Sequence, residues 1–172
     1  MGQFERCPMT RTLTLSIDTF SLTLGDRISS RFAQGGYERV ISSTGEVEYS
    51  LFGSPVSDGS LYEAKFVWTI QTYVGIEQWR VLWAIFARAE RHRRNQQDSQ
   101  IYLSDTIQPY IEDAIAPTRQ TAGDITPIDG GGIAYPAVYA VRMFEPKAEE
   151  TANLQYRYLA RFVLKELDRV VA

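Results

Sequence analysis

The one histidine of the chain, His92, stands in Glu90-Arg91-His92-Arg93-Arg94. General-base chemistry asks for a neutral imidazole poised beside a partner, and three flanking cations are a poor setting for it. A solvated place on the polar end of a helix is expected instead. Cys7 precedes Pro8 near the start of the sequence, with no histidine set to activate a thiolate. Gly130-Gly131-Gly132 could let backbone approach a phosphate, but the Lys, the Ser or Thr and the following helix of a phosphate loop are missing; a flexible hinge is expected. The carboxylate pairs Glu112-Asp113 and Glu149-Glu150 lack an apolar pocket signal, and adjacent residues of a strand face opposite ways. Asp124 and Asp129 do not follow calcium-loop order, and Ser54 is in no nucleophile elbow. The expectation is a protein without catalytic residues, metal or cofactor.

The residue cluster best suited to contact is cationic: Arg88, Arg91, Arg93 and Arg94. It can meet an anion or a partner chain, or it can serve dipole compensation and solubility at a helix C-terminus. Interleaved aromatics, which a nucleic-acid platform would use, are absent from this stretch.

Composition narrows the classes further. The chain has 172 residues, 44% hydrophobic and 23% charged, the ordinary range for one globular domain. One cysteine excludes a disulfide framework. A formal charge of −3 argues against a dedicated nucleic-acid binder. Cations are fifteen Arg against three Lys, a bias that fits ion pairs at interfaces or a basic host composition equally. The longest apolar run, 81–87, is seven residues, against the ~20 a membrane helix needs. No secretory h-region opens the sequence, so synthesis in a reducing cytoplasm is expected. Aromatics at 12% favour strands and subunit contacts over a plain helical bundle.

The elements that would position these residues follow from periodicity. Residues 12–24 read as two short strands broken at Asp18-Thr19, and 27–34 carry no clear signal. Residues 37–42 and 46–52 suggest a hairpin around Ser43-Thr44-Gly45. Residues 62–73 form the clearest strand, with Tyr62, Ala64, Phe66, Trp68, Ile70 and Thr72 on one face. From Ile76 the period changes to a helix over about 76–93, with Gly75 as N-cap and Glu77 in the first turn. Its apolar face is expected to be Ile76, Trp79, Leu82, Trp83, Phe86 and Ala87. Burying Trp79, Leu82, Trp83 and Phe86 would contribute on the order of 6–12 kcal/mol. A short strand at 101–103 stopped by Ser104-Asp105, a strand over 135–144, and a tail 154–171 that fits strand better than helix complete the set. The expected fold is mainly β (α+β): a β-sandwich or partly closed barrel with one flanking helix and a long extended loop.

That loop is 106–133, within a single domain spanning 1–172. Residues 116–132 hold two Pro and four Gly, from which no core can be built, so mobility in the free subunit is expected. It reads either as an arm ordering against a neighbouring subunit, through Ile125, Ile128, Ile133 and an ion pair of Arg119, or as a solvated loop without partners.

The run Phe66-Val67-Trp68-Thr69-Ile70, Tyr73-Val74-Gly75-Ile76-Glu77-Gln78-Trp79, Leu82-Trp83-Ala84-Ile85-Phe86 and Ile101-Tyr102-Leu103-Ser104-Asp105 resembles bacteriophage distal-tail and tail-tube-like baseplate proteins. It covers about residues 62–105. The longer, charged, glycine-free 91–100 connection departs from the tight Gly-Arg turn often found there. The resemblance implies a virion structural protein, made in the host cytoplasm and assembled as a homo-oligomeric ring, hexameric in the family, around a central channel. Its partners would be itself and adjacent tail-tube or baseplate-hub proteins, with DNA only as transiting cargo. The alternative classes are another oligomeric adaptor, such as a head–tail connector or a contractile secretion-system tube component, and then a small-ligand-binding β protein or enzyme.

Overall fold

Period-two alternation in the chain becomes one large antiparallel sheet. The computed structural model describes residues 11–42, 47–49, 55–57, 64–97, 99–153 and 155–171. In chain order the elements are β1 (Leu13–Ile17), β2 (Phe20–Leu24), β3 (Ser30–Ser42), β4 (Val47–Tyr49), β5 (Pro55–Ser57), β6 (Lys65–Val74) and α1 (Ile76–Arg94), followed by β7 (Ile101–Glu112), β8 (Arg119–Thr121), β9 (Thr126–Pro127), β10 (Ile133–Met143), β11 (Lys147–Glu150) and β12 (Tyr158–Glu166). The sheet runs β2-β1-β7-β10-β12-β6-β3, with β11 on β12 and both β8 and β9 on β10. It curls into a half-barrel, and the fold is mainly β with one helix. No helix is long and apolar enough to cross a membrane among the described residues.

Register places one inward face across the whole sheet. Leu15 stands opposite Leu22 and Leu103, Leu103 opposite Tyr139, Leu164 opposite Trp68, and Ile70 opposite Phe162 and Tyr37. Trp68, Ile70, Leu103, Tyr139 and Leu164 are fully buried. Alternation therefore does what it must in a curled sheet with one filled side.

Two irregularities allow the curl. Along β7 the pairing with β10 jumps from Asp105–Ala137 to Tyr110–Tyr135, so residues 106–109 bulge, and Pro109 falls where no ladder donor is needed. Along β3 the pairing with β6 jumps between Phe32 and Tyr37. Gly36 is required there, since a Cβ would lie 2.2 Å from the Gln71 carbonyl oxygen.

The helix matches its expected span and seats part of its expected face, with Leu82 buried and Trp79 and Phe86 packed against the core, but not Trp83 and Ala87. It lies against β1 and β2 and touches β6, β10 and β12. Its buried residues are Leu82, Ile85 and His92, with Ala89 packed between. Trp83 is 42% exposed and Ala87 is exposed. The seated face is thus shifted from the expected one toward Ile85, Ala89 and His92. The correction follows from His92, which closes the buried stripe because its Nε2 meets the Asp18 carboxylate at 2.7 Å in the β1–β2 turn. His92 is buried, not solvated.

The long excursion is also corrected. Residues 106–112 continue β7, and 119–121 and 126–127 fold back as strands onto β10. Gly130-Gly131-Gly132, at φ of 97°, 110° and 92°, makes the tight turn from β9 to β10, a conformation open chiefly to glycine. The expected hairpin differs as well: β4 pairs with β5, while β3 pairs with β6. Cys7, Ser54, Tyr62, Leu154 and residues 43–46 of that hairpin lie outside the described residues. The tail is a strand over Tyr158–Glu166, as its alternation favours.

If Leu82 and Ile85 form the seated face, Leu82→Ala and Ile85→Ala each lose about 2–5 kcal/mol, and Trp83→Ala loses clearly less. Urea denaturation checks the order; Trp83→Ala as the costliest change would restore the face expected from sequence.

Candidate functional site

Two buried ion pairs flank one aromatic ring. Arg39 reaches Asp105 at 3.2 Å and Arg119 reaches Glu166 at 2.7 Å, with all four side chains at most 4% exposed. The guanidinium carbons lie 4.6 Å and 5.0 Å from the centre of the Phe66 ring, within cation–π range. Phe66 also meets Trp68, Tyr110 and Tyr139 at centroid distances of 5.8–6.0 Å.

Asp105 is the more heavily bonded carboxylate. Its Oδ2 accepts from the Tyr37 hydroxyl (2.7 Å), Trp68 Nε1 (3.1 Å) and Arg39; its Oδ1 accepts from the Ile107 and Gln108 amides at 3.0 and 3.2 Å. Arg39 donates on to the carbonyls of Gln108 (2.7 Å) and Pro109 (3.0 Å). The pair therefore satisfies from both sides the backbone that the β7 bulge leaves unpaired. Burial, and then the Asp105 charge, push the Tyr37 hydroxyl above its ordinary value; burial first does the same to Tyr139.

Glu166 binds the other knot. It accepts from Arg119 Nε at 2.7 Å, Arg119 Nη2 at 3.0 Å and the Phe66 amide at 2.8 Å. Arg119 Nη2 also donates to the Ala64 carbonyl at 2.8 Å, and Nη1 reaches the Tyr110 hydroxyl, which donates to Glu112. Both knots are closed to solvent and their carboxylates are filled with donors. They can clamp strands across the sheet.

The residues expected to make contacts separate in space and role. Arg119 is inside, tied to Glu166, rather than on an arm. Arg88 pairs with Asp18 at 2.7 Å and Arg93 with Glu90 at 2.7 Å. Arg91 and Arg94 are exposed, without an ion-pair partner among the described residues. Ile125 is 43% exposed, and Ile128 is partly buried before the glycine turn. Glu149 and Glu150 pair with the exposed Arg161 and Arg157 at 3.2 Å. Missed by sequence reasoning were Arg39, Asp105 and Glu166. For Asp105 and Glu166 the signal was available, since each falls in phase with the buried positions of its own strand; β3, with its bulge, gives no such phase for Arg39.

The shift in the seated helix face leaves Trp83 outside, while Trp79 and Phe86 are partly buried against the core. Tyr158, Trp79, Trp83 and Phe86 form a ladder with successive centroid distances of 6.1, 6.0 and 5.5 Å. On β3, Val40 is 45% and Ile41 62% exposed, one on each face of the strand. β3 ends the sheet, and no strand pairs its outer side among the described residues. Comparison of the chain with protein-family models, curated proteins and solved structures finds no match.

Two expectations follow. Arg119→Ala, which strands Glu166 inside, should lose about 3–5 kcal/mol, whereas Arg91→Ala and Arg94→Ala should stay within about 0.5 kcal/mol, read by chemical denaturation. Arg88, then His92, hold the Asp18 carboxyl down at about 2 from its ordinary 3.8. A lowered folded-state pKa contributes stability above 3.8 that is lost as pH falls toward 2. Asp18→Asn should therefore lower the thermal midpoint at pH 6 and flatten its fall in that acid window; an unchanged slope would deny the coupling.

Proposed function

We propose that this protein is a non-enzymatic structural component of a bacteriophage tail or baseplate, assembling as a homo-oligomeric ring around a central channel. The observation that carries the assembly is the pair of unlike features, the aromatic ladder of α1 with Trp83 outermost and the open edge of β3, where Val40 and Ile41 each expose an apolar side chain on opposite faces. A half-exposed Trp such as Trp83 suits an interface anchor, and a long edge strand with no described partner on its outer side is a hazard unless something covers it. Two different surfaces that meet head to tail generate a ring when the rotation closes. The tail assignment rests on the residue pattern of 62–105. In this setting the neighbours are further copies of the chain, then tube or hub proteins, and DNA passes without specific binding.

Light scattering and native mass spectrometry test the assembly. The wild-type chain should have a mass several times 19.6 kDa, and electron microscopy should show rings. Trp83→Glu and the double change Val40→Glu with Ile41→Glu should each give monomers with little change in thermal midpoint. Mixed together they should form dimers, since each retains the half the other lacks. A wild-type monomer at high concentration refutes the proposal.

A further inference from the structure

We propose that the open cleft between the β2–β3 turn and the turn before β12 binds a ligand presenting two or more oxyanion groups, phosphate or carboxylate. The cleft has a volume of about 690 Å³ and is lined by Arg11, Arg27 and Arg31 together with Phe32, Tyr37 and Tyr156. No carboxylate lines it, and none pairs with these three arginines among the described residues. In a chain of net charge −3, three arginines that line one concavity without an ion-pair partner among the described residues stand out. Planar guanidinium forks suit phosphate and carboxylate oxygens.

The turn that carries Arg27 is built to hold it. Arg27 adopts φ of 65°, a left-handed conformation that glycine or asparagine would take at less cost. It is held there by Asp26, whose Oδ1 accepts from the amides of Ile28, Ser29 and Ser30 at 2.8–3.1 Å. The Arg27 amide donates to the Ser30 carbonyl at 2.9 Å, and the Tyr156 hydroxyl donates to the Arg27 carbonyl at 3.2 Å. A strained, over-determined residue with its charge left open marks a site for binding. Behind it, Tyr37 and Phe32 stand edge to face at 6.2 Å, and Tyr37 is anchored on Asp105, so the wall is rigid and largely aromatic.

Titration calorimetry of the full chain with inorganic tripolyphosphate and, separately, citrate provides the test. Saturable binding is expected, and the tighter probe identifies phosphate or carboxylate as the natural group. Arg27→Gln with Arg31→Gln should weaken it roughly tenfold or more. Arg91→Gln with Arg94→Gln, two free cations elsewhere, should change it by less than about twofold. Arg27→Gly should weaken binding while raising the thermal midpoint, because it removes the charge and relieves the positive φ. No saturable binding of either probe overturns the proposal. So do equal losses in the two double variants, or unchanged affinity in Arg27→Gly.

Discussion

A sheet that curls must break its ladder somewhere, and here the break falls at residues 106–109, next to the buried Asp105, with Gln108 and Pro109 themselves exposed. Asp105 and Arg39 resolve this between them: the carboxylate takes the amides of Ile107 and Gln108, and the guanidinium takes the carbonyls of Gln108 and Pro109. Apolar packing alone would tolerate a two-residue slip, because alternation keeps the same face inward. A slip would part Asp105 from Arg39 and leave two desolvated charges, each costing several kcal/mol. The pair thus ties the position of β3 to that of β7 across the barrel, and Phe66 transmits the tie to Arg119 and Glu166 on β8 and β12.

The same saturation bears on function. Among the described residues, every buried side-chain polar atom has a partner within the fold except Arg39 Nε. Chemistry with an outside molecule is therefore left to the surface: the aromatic ladder, the β3 edge and the open arginines. These are contact features rather than proton-transfer features, which favours assembly over catalysis as the proposal.

Local periodicity made β6 and the span of α1 legible, because alternation and helical spacing leave their mark within a few residues. The seated face of α1 was not fully legible in that way. Apolar residues occupy more than half of its circumference, so hydrophobicity alone could centre the face on Trp83, while the contact that decides it joins His92 to Asp18, 74 residues away. Arg119 was hidden for a similar reason. Its neighbours 116–132 have loop composition, yet they are drawn onto β10 by one long-range pair with Glu166. In retrospect the clearest untapped signal is a charge in phase with buried alternation: Asp105 after Ile101 and Leu103, and Glu166 after Phe162 and Leu164.

Two kinds of arginine therefore coexist in this chain, separated by what the backbone does for them. Arg39 and Arg119 are donors spent on internal acceptors, and they stabilise the turn and bulge around them. Arg27 is the reverse case. There the backbone, through Asp26, Ser30 and Tyr156, is arranged to hold an unfavourable φ, and the guanidinium makes no ion pair among the described residues. Folding alone would place glycine at such a position, since the side chain adds strain and no described contact. The fold tolerates the strain because the neighbouring hydrogen bonds over-determine it, and an external oxyanion supplies the interaction that the rest of the chain does not.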